Sequence, residues 1–146
     1  MIIDTRWTKQ HYRGESECVV PEGATVIGHV AFGAFANLEK VTLPDSLTEI
    51  KPCAFYCCSN LKEINFPNGL KTIGEGTFDH CISLSDITIP DSVEKIGNRT
   101  FYNCSDSFKI HCSSDSYAAE YAEKNNIKCE YTDVLDLTQE QNCGRK

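Results

Sequence analysis

The stretch LEKVTLPDSLTEIKPCAFYCCSN, Leu38 to Asn60, carries a pattern of apolar, proline and aromatic positions that returns along the chain every 23 residues. It aligns without a gap onto Leu61 to Ser83 and onto Leu84 to Asp106, and less regularly onto Glu17 to Asn37. One such unit has too few apolar side chains to offset the conformational entropy that it loses on folding. Units that stack on their neighbours gain the missing burial, so the repeat predicts a solenoid.

The first part of each unit has the pattern of a β-strand. Apolar residues alternate at Val41 and Leu43, and Pro44 then begins a turn of proline followed by small and polar residues. Strands at one repeat position pair in parallel when the units stack, which places a sheet of short strands on one face of the solenoid. The predicted strands are 40–43, 63–66 and 86–89.

The part of the unit that follows the proline turn, which we call the return leg, has a different pattern. The spacing of Ala54, Phe55 and Cys58 favours a short helical or 3₁₀ turn, so we predict turns and 3₁₀ segments on the opposite face. Glycine recurs at one position of this leg and is interpreted as a turn former, at Gly28, Gly74 and Gly97. Stacking also predicts columns of like residues, namely Phe32, Phe55, Phe78 and Phe101, and Ile27, Ile50, Ile73 and Ile96.

The chain has nine cysteines, and the repeat explains three of them, which are interpreted as core thiols. Cys58, Cys81 and Cys104 fall at one repeat position, where the first repeat has Phe35. We therefore expect the position to require a buried apolar group rather than a sulfur. Whether Cys112 and Cys129, near the end of the chain, form a disulfide stays open.

The repeats divide the chain into four parts. The predicted parts are an N-terminal cap over 1–16, four 23-residue repeats over 17–106, a C-terminal cap over 107–131 and a loose polar tail over 132–146. A cap is needed at each end because a terminal repeat otherwise exposes its core face.

The C-terminal cap is predicted to be a strand, a helix and a second strand. Asp115 or Ser116 can cap the N-terminus of the helix, and Asn125 or Asn126 can end it. The final strand is predicted over 127–131.

Composition excludes some classes of partner. The net charge is −7 and Lys and Arg are not clustered, so we expect no nucleic-acid partner and no anionic membrane surface. No apolar run approaches the roughly 18 residues of a membrane span, so we expect no membrane insertion. The opening MIIDTRWTKQHYRGE has no apolar core of a signal peptide, so the protein works inside the cell or an export signal lies elsewhere.

The repeat pattern LxxIxLPxxLxxIxxxAFxxC resembles the leucine-rich repeat of bacterial BspA-like surface antigens, the Treponema-type or LRR_5 class. The resemblance covers about 17 to 131, with Thr77 and Thr100 in place of the alanine, Phe35 in place of the cysteine and Ala24 in place of a leucine. It implies a leucine-rich-repeat solenoid and the recognition of proteins, often at a cell surface. The matching positions of the second repeat are Leu38, Val41, Leu43, Pro44, Leu47, Ile50, Ala54, Phe55 and Cys58.

The side chains that point outward from the predicted sheet are the candidate ligand-binding residues. We call this surface the concave face: Lys40, Thr42, Glu63, Asn65, Asp86, Thr88, Lys109 and His111. Cross-strand charge pairs are the structural explanation of this pattern, with Lys40 beside Glu63 and Lys109 beside Asp86. A second candidate interface is the convex pair Tyr56 and Tyr102.

One group of residues departs from the repeat. Cys57 and His80 occupy one position in neighbouring repeats, and Cys53 lies one turn away, so a metal site or a nucleophile and base pair can be imagined there. Two scattered surface side chains are the simpler explanation. No phosphate-binding loop, catalytic carboxylate pair or Ser/His/Asp arrangement is present in the sequence, so we predict no catalytic residue and no cofactor.

The sequence therefore predicts a non-enzymatic protein-recognition module that binds a protein or glycoprotein through its concave face. The family resemblance indicates an adhesin-like protein at the cell surface or secreted, whereas a complete chain without a signal peptide would be cytoplasmic. The first alternative is an intracellular thiol-rich protein that binds metal or senses redox state. The second is a structural spacer within a larger chain, and the oligomeric state stays open.

Overall fold

The computed structural model describes residues 1–133, so most of the predicted tail lies outside the described residues. The chain winds into a solenoid, as the 23-residue period predicts, with short parallel strands along its faces. The strands of the concave face are β2 (Glu17–Val19), β4 (Lys40–Thr42), β6 (Glu63–Ile64), β8 (Asp86–Thr88), β10 (Lys109–Cys112) and β11 (Lys128–Tyr131).

The return leg also forms a sheet, which the sequence did not predict. Its five parallel strands are β1 (Ile2–Ile3), β3 (Val26–Ile27), β5 (Glu49–Ile50), β7 (Thr72–Ile73) and β9 (Lys95–Ile96). Each strand contributes only two residues; the buried member is Ile3 in β1 and the predicted isoleucine column in the other four strands. A strand this short has no period-2 alternation for a sequence pattern to show.

The turns after this sheet are not helical. Bonds of the i to i+3 type do occur, as when Tyr56 N–H donates to Cys53 O at 3.1 Å. Helix does not continue because Cys53 and Cys57 adopt left-handed backbone, with φ of 61° and 60°. The turns instead bond to the next repeat, with Phe55 N–H donating to Thr77 O at 3.0 Å. The predicted turns are therefore present on this face, and hydrogen bonds between repeats take the place of the predicted 3₁₀ segments.

The stacked phenylalanines form the centre of the core. Phe32, Phe55, Phe78 and Phe101 lie with ring centroids 5.0, 5.4 and 5.7 Å apart and with interplanar angles of 8° or less. The first three rings are fully buried. Aromatic stacking therefore adds to the apolar burial that holds successive repeats together.

The cysteine column also has a polar role, which the repeat pattern does not indicate. The thiols of Cys58, Cys81 and Cys104 donate to the carbonyls of Phe32, Phe55 and Phe78 at 3.0, 3.1 and 3.3 Å. The position therefore suits sulfur because a thiol is both apolar enough for the core and able to donate a hydrogen bond. Burial raises the pKa of the Cys58 and Cys104 thiols to about 12, and it raises that of Cys81 as well.

The recurring glycines are not turn formers with special backbone angles. A Cβ atom on Gly74 would lie 2.3 Å from Pro52 N, and one on Gly97 would lie 2.4 Å from Glu75 N. These distances are far inside van der Waals contact. At Gly74 and Gly97 glycine is required because the backbone of the preceding repeat passes against these two positions.

A helix lies at each end of the stack. At the N-terminus, helix α1 (Thr5–His11) has Asp4 as its N-cap, whose side chain accepts the Trp7 N–H at 2.9 Å. At the C-terminus, helix α2 (Tyr117–Lys124) has Ser116 as its N-cap and Asn125 as its C-cap, and β11 follows it. The helix and strand predicted for the C-terminal cap are confirmed.

The open question of a bridge between Cys112 and Cys129 is answered. Cys112 is a free, buried thiol, so it is not bonded to Cys129.

Within residues 1–133, no helix has the length and apolar character needed to cross a membrane.

Candidate recognition face

The register of the parallel strands sets the columns of the concave face. Lys40 lies between Glu17 and Glu63 on the neighbouring strands, as the 23-residue period requires. Further along, Lys109 lies between Asp86 and Lys128. The side chains of Thr42, Glu63, Asn65, Asp86 and Thr88 are exposed, and those of Lys40, Lys109 and His111 are partly exposed.

The face is divided into two halves. Strands β2, β4 and β6 form one three-stranded sheet, and β8, β10 and β11 form another. Asn65 follows β6 in the N-terminal half, and its side chain bonds back to the end of β4: its oxygen accepts the Leu43 N–H at 2.9 Å and its amide nitrogen donates to Leu43 O at 3.2 Å. The side chain thus takes the place of a backbone partner, and the Asn65 amide is already used within the fold.

Charges in the C-terminal half form a cluster. Lys109 Nζ lies 2.8 Å from Glu130 Oε2, and His111 Nδ1 lies 3.5 Å from Glu130 Oε1. The hydrogen bond with Glu130 raises the pKa of Lys109, and the same bond lowers the pKa of Glu130. The register places Lys109 beside Asp86 as predicted, but its ion pair is with Glu130 on the strand that follows.

A shallow groove of about 370 Å³ runs beside this cluster. Its lining includes Asp86, Lys109, Lys128 and Glu130, so it presents carboxylate and ammonium groups side by side. Such a groove can contact a ligand that carries charges of both signs.

The N-terminal half has fewer charge contacts. Lys40, Thr42 and Glu63 line a shallow groove of about 290 Å³. Among the ion pairs of residues 1–133, none joins Lys40 to Glu63, although the register places them side by side. These side chains therefore retain charges that are not paired with each other.

Sequence reasoning missed two residues of the face, Lys128 and Glu130. Both lie on β11, which has no counterpart in the 23-residue pattern. The alternation of exposed Lys128, buried Cys129 and exposed Glu130 was the signal that could have found them.

On the opposite face, His80 belongs to a polar cluster. Its Nδ1 lies 2.6 Å from the carboxylate of the buried Asp79, and its Nε2 lies 3.1 Å from Asn103 Nδ2. Arg99 lies 3.7 Å from the same carboxylate and 3.8 Å above the Tyr102 ring. The cluster fits a His80 tautomer that donates to Asp79 and accepts from Asn103.

This arrangement gives no support to the metal or nucleophile hypothesis. The protons and lone pairs of His80 are directed to Asp79 and Asn103 rather than to Cys57. In the described part of the chain, no three His, Cys, Asp or Glu side chains are grouped so as to hold a metal ion. The left-handed backbone shared by Cys57, His80 and Asn103 explains why this column departs from the apolar repeat, because Asn and His tolerate that conformation well.

The chain belongs to the BspA type leucine rich repeat family. The family's repeat region matches residues 14–130 in six copies. Over nearly the same range the structure has six strands on the concave face. The resemblance read from the repeat pattern is therefore confirmed, and so is the leucine-rich-repeat fold.

Solved structures of bacterial leucine-rich-repeat proteins are similar to this chain. A leucine rich cell surface protein from Faecalibacterium prausnitzii is 30% identical with a TM-score of 0.66, and the match covers 72% of this chain and 28% of that one. The Treponema pallidum leucine rich repeat protein is 28% identical with a TM-score of 0.56, and coverage is 68% and 59%. A leucine-rich repeat protein from Bacteroides ovatus is 25% identical with a TM-score of 0.59, and coverage is 67% and 30%.

The matched region is only part of each of these proteins, since it spans 59% of one and 30% or less of the other two. No curated protein matches the chain. Leucine-rich repeats of this class generally mediate interactions with proteins and are typically non-enzymatic.

Proposed function

We propose that this chain is a non-enzymatic recognition module that binds a protein or glycoprotein through its concave face. The observation that carries the proposal is the C-terminal half of that face. There Asp86, Lys109, Lys128 and Glu130 present both signs of charge beside a groove of about 370 Å³. The four residues stand on hydrogen-bonded strands, so their backbone positions are fixed before a ligand binds.

The alternation of charge favours a protein ligand. A nucleic acid requires a surface of one positive sign, whereas here carboxylates lie between the lysines. Charges of both signs within one groove instead match a polypeptide surface, where they set orientation and exclude wrong partners.

An adhesin-like role at a cell surface is part of the proposal. It is supported by the family and by the similarity to a protein described as a leucine rich cell surface protein. That cell surface protein is much longer than the matched region. We therefore propose only the class of ligand that this chain binds, and not its identity.

The test is a binding assay against a panel of immobilised extracellular-matrix glycoproteins. The informative variants are Asp86→Lys and Lys109→Glu, and the matched control is Glu94→Lys. Glu94 is exposed but lies beside the return-leg sheet, away from the concave face. Loss of binding of about tenfold or more in the two variants, with the control unchanged, is the expected result.

Two outcomes contradict the proposal. If all three variants bind a captured glycoprotein as the parent does, the concave face is not the contact surface. If no member of the panel binds, the adhesin-like role fails and the spacer alternative is favoured.

A further inference from the structure

The first strand of the concave face, β2, leaves one side of its backbone without a partner. In its sheet β2 is the terminal strand and pairs only with β4. Ser16 O accepts the Lys40 N–H at 3.0 Å, and Val20 N–H donates to Thr42 O at 2.9 Å, so these residues face β4. In a parallel ladder the alternate residues face the other way, which directs the N–H and C=O groups of Glu17 and Val19 outward.

Nothing in the part of the chain that the structure describes bonds to those outward groups. No backbone or side-chain hydrogen bond to the main chain of Glu17 or Val19 occurs on that side within residues 1–133. The Tyr12 hydroxyl, which α1 brings to this end, donates to Glu15 O instead. Two donors and two acceptors therefore form an open edge.

The last strand of the return-leg sheet, by contrast, has partners for its edge groups. In this strand, β9, the Ile96 N–H is bonded to the Tyr117 hydroxyl at 3.2 Å. The Tyr121 hydroxyl donates to Gly97 O at 2.9 Å beside it. Both tyrosines belong to the C-terminal helix α2, so that helix closes its sheet with side-chain hydrogen bonds, whereas α1 does not close β2.

A groove lies against the open edge. It has a volume of about 570 Å³. Its lining includes the aromatic rings of Trp7 and Tyr12, Pro21, Val19 and the carboxylates of Glu15 and Glu17, together with His11 and Cys18. Val19 is 69% exposed, the largest exposure among the chain's large hydrophobic residues in the described range. The edge groove thus combines apolar walls with two carboxylates.

We propose that the edge groove binds an extended peptide that carries a Lys or Arg beside apolar residues, and that the peptide adds a strand to β2. Main-chain hydrogen bonds to Glu17 and Val19 supply the strand addition. The apolar walls take the neighbouring side chains, and Glu15 and Glu17 take the cation. The charge of the lining selects a basic peptide over a second copy of this chain, whose own β2 would bring two more carboxylates into the groove.

The site is separate from the proposed contact surface of the concave face. It lies at the free edge of β2, whereas the charge cluster lies on β8, β10 and β11. The variant Asp86→Lys is therefore expected to leave peptide binding unchanged, so failure of one proposal is distinguishable from failure of the other.

The single tryptophan of the chain reports directly on this site, because Trp7 lines the groove and stacks on His11 with centroids 4.5 Å apart. The probe is a blocked five-residue peptide of threonine and valine with a central arginine, added to the full chain up to about 1 mM, the weak end of the affinity scale. We expect a saturable change in tryptophan emission. The same peptide with glutamate in place of arginine is expected to bind at least about tenfold more weakly.

Two variants test the backbone contact. Val19→Pro removes an outward N–H without removing a bond to β4, and Val19→Thr keeps that N–H as the matched control. We expect about a tenfold loss of affinity for Val19→Pro and less than about threefold for Val19→Thr, with both thermal unfolding curves close to that of the parent.

Three results overturn the proposal. The first is no saturable emission change with the arginine peptide. The second is that Val19→Pro binds the arginine peptide as tightly as the parent protein does, or that the parent binds a peptide N-methylated on alternate amides, or the glutamate peptide, as tightly as the arginine peptide. The third is a concentration-dependent dimer in light scattering that Val19→Pro abolishes, which assigns the edge to a second copy of the chain.

Discussion

The buried cysteine column makes the stability of this protein sensitive to alkaline pH. Cys58, Cys81 and Cys104 have raised pKa values in the folded state, to about 12 for the first and last, from an ordinary value of 9.0. A raised pKa means that the folded thiols stay protonated where the unfolded thiols ionise. Their contribution to stability is therefore fully present below pH 9 and is lost as the pH rises towards 12.

The size of the effect follows from proton counting. Each thiol that is ionised only in the unfolded chain lowers the free energy of unfolding by about 1.4 kcal/mol per pH unit. Three such thiols give a slope of about 4 kcal/mol per pH unit at about pH 10 to 11. A domain of this size has a total stability of about 5 to 15 kcal/mol. We therefore expect the protein to unfold at about pH 10 to 11.

The measurement is guanidinium unfolding under reducing conditions, followed by circular dichroism at a series of pH values from about 8 to 10.5. Cys81→Ala is expected to reduce the slope by about 1.4 kcal/mol per pH unit, whatever its effect on stability at neutral pH. Ile73→Val is the control, because it weakens the same core without removing a thiol. An unchanged slope in Cys81→Ala would refute the reasoning.

Three further substitutions test the packing. Gly74→Ala is expected to cost at least about 2 kcal/mol in a denaturation experiment, because its Cβ would meet backbone at 2.3 Å, whereas Gly69→Ala, with 3.7 Å to its nearest neighbour, serves as the tolerated control. Phe78→Ala is expected to cost about 3 to 5 kcal/mol by the same measurement, and a cost below about 1 kcal/mol would contradict a continuous ring stack. Asn65→Ala removes two hydrogen bonds to Leu43, so we expect a loss of about 1 to 2 kcal/mol in thermal or chemical unfolding, and no loss would show that the amide is dispensable.

The sequence could predict those parts of the fold that depend on a repeated burial requirement. The 23-residue period, the aromatic and isoleucine columns and the strand beginning at Lys40 all follow from which side chains must be buried. The return-leg sheet could not be predicted in this way, since each of its strands buries one residue. The left-handed positions were also hidden, because Cys53 and Cys57 are not the residues that usually signal such a conformation.

For the candidate site, the sequence could predict which residues form the outward columns, but not which of them form ion pairs. Alternation on the strands identified Lys40 and Lys109 as outward residues, and the register confirms their neighbours. The ion-pair partner of Lys109 could not be identified from the sequence, because its long side chain can reach carboxylates on either adjacent strand. Glu130 lies closer than Asp86 only once the cap strand is in place.

The layer of turns that follows the return-leg sheet gives the solenoid a direction along its axis. Phe32, Phe55 and Phe78 all donate their N–H groups towards the following repeat, so every turn of this layer offers acceptors on one side and donors on the other. β-Sheets cancel such dipoles because their groups alternate, but groups that all point one way add together. A whole 23-residue turn can thus be inserted or deleted without breaking the pattern, whereas a turn stacked in reverse would bring donors against donors. Evolution of this architecture is accordingly free to change the number of turns and bound to keep their orientation.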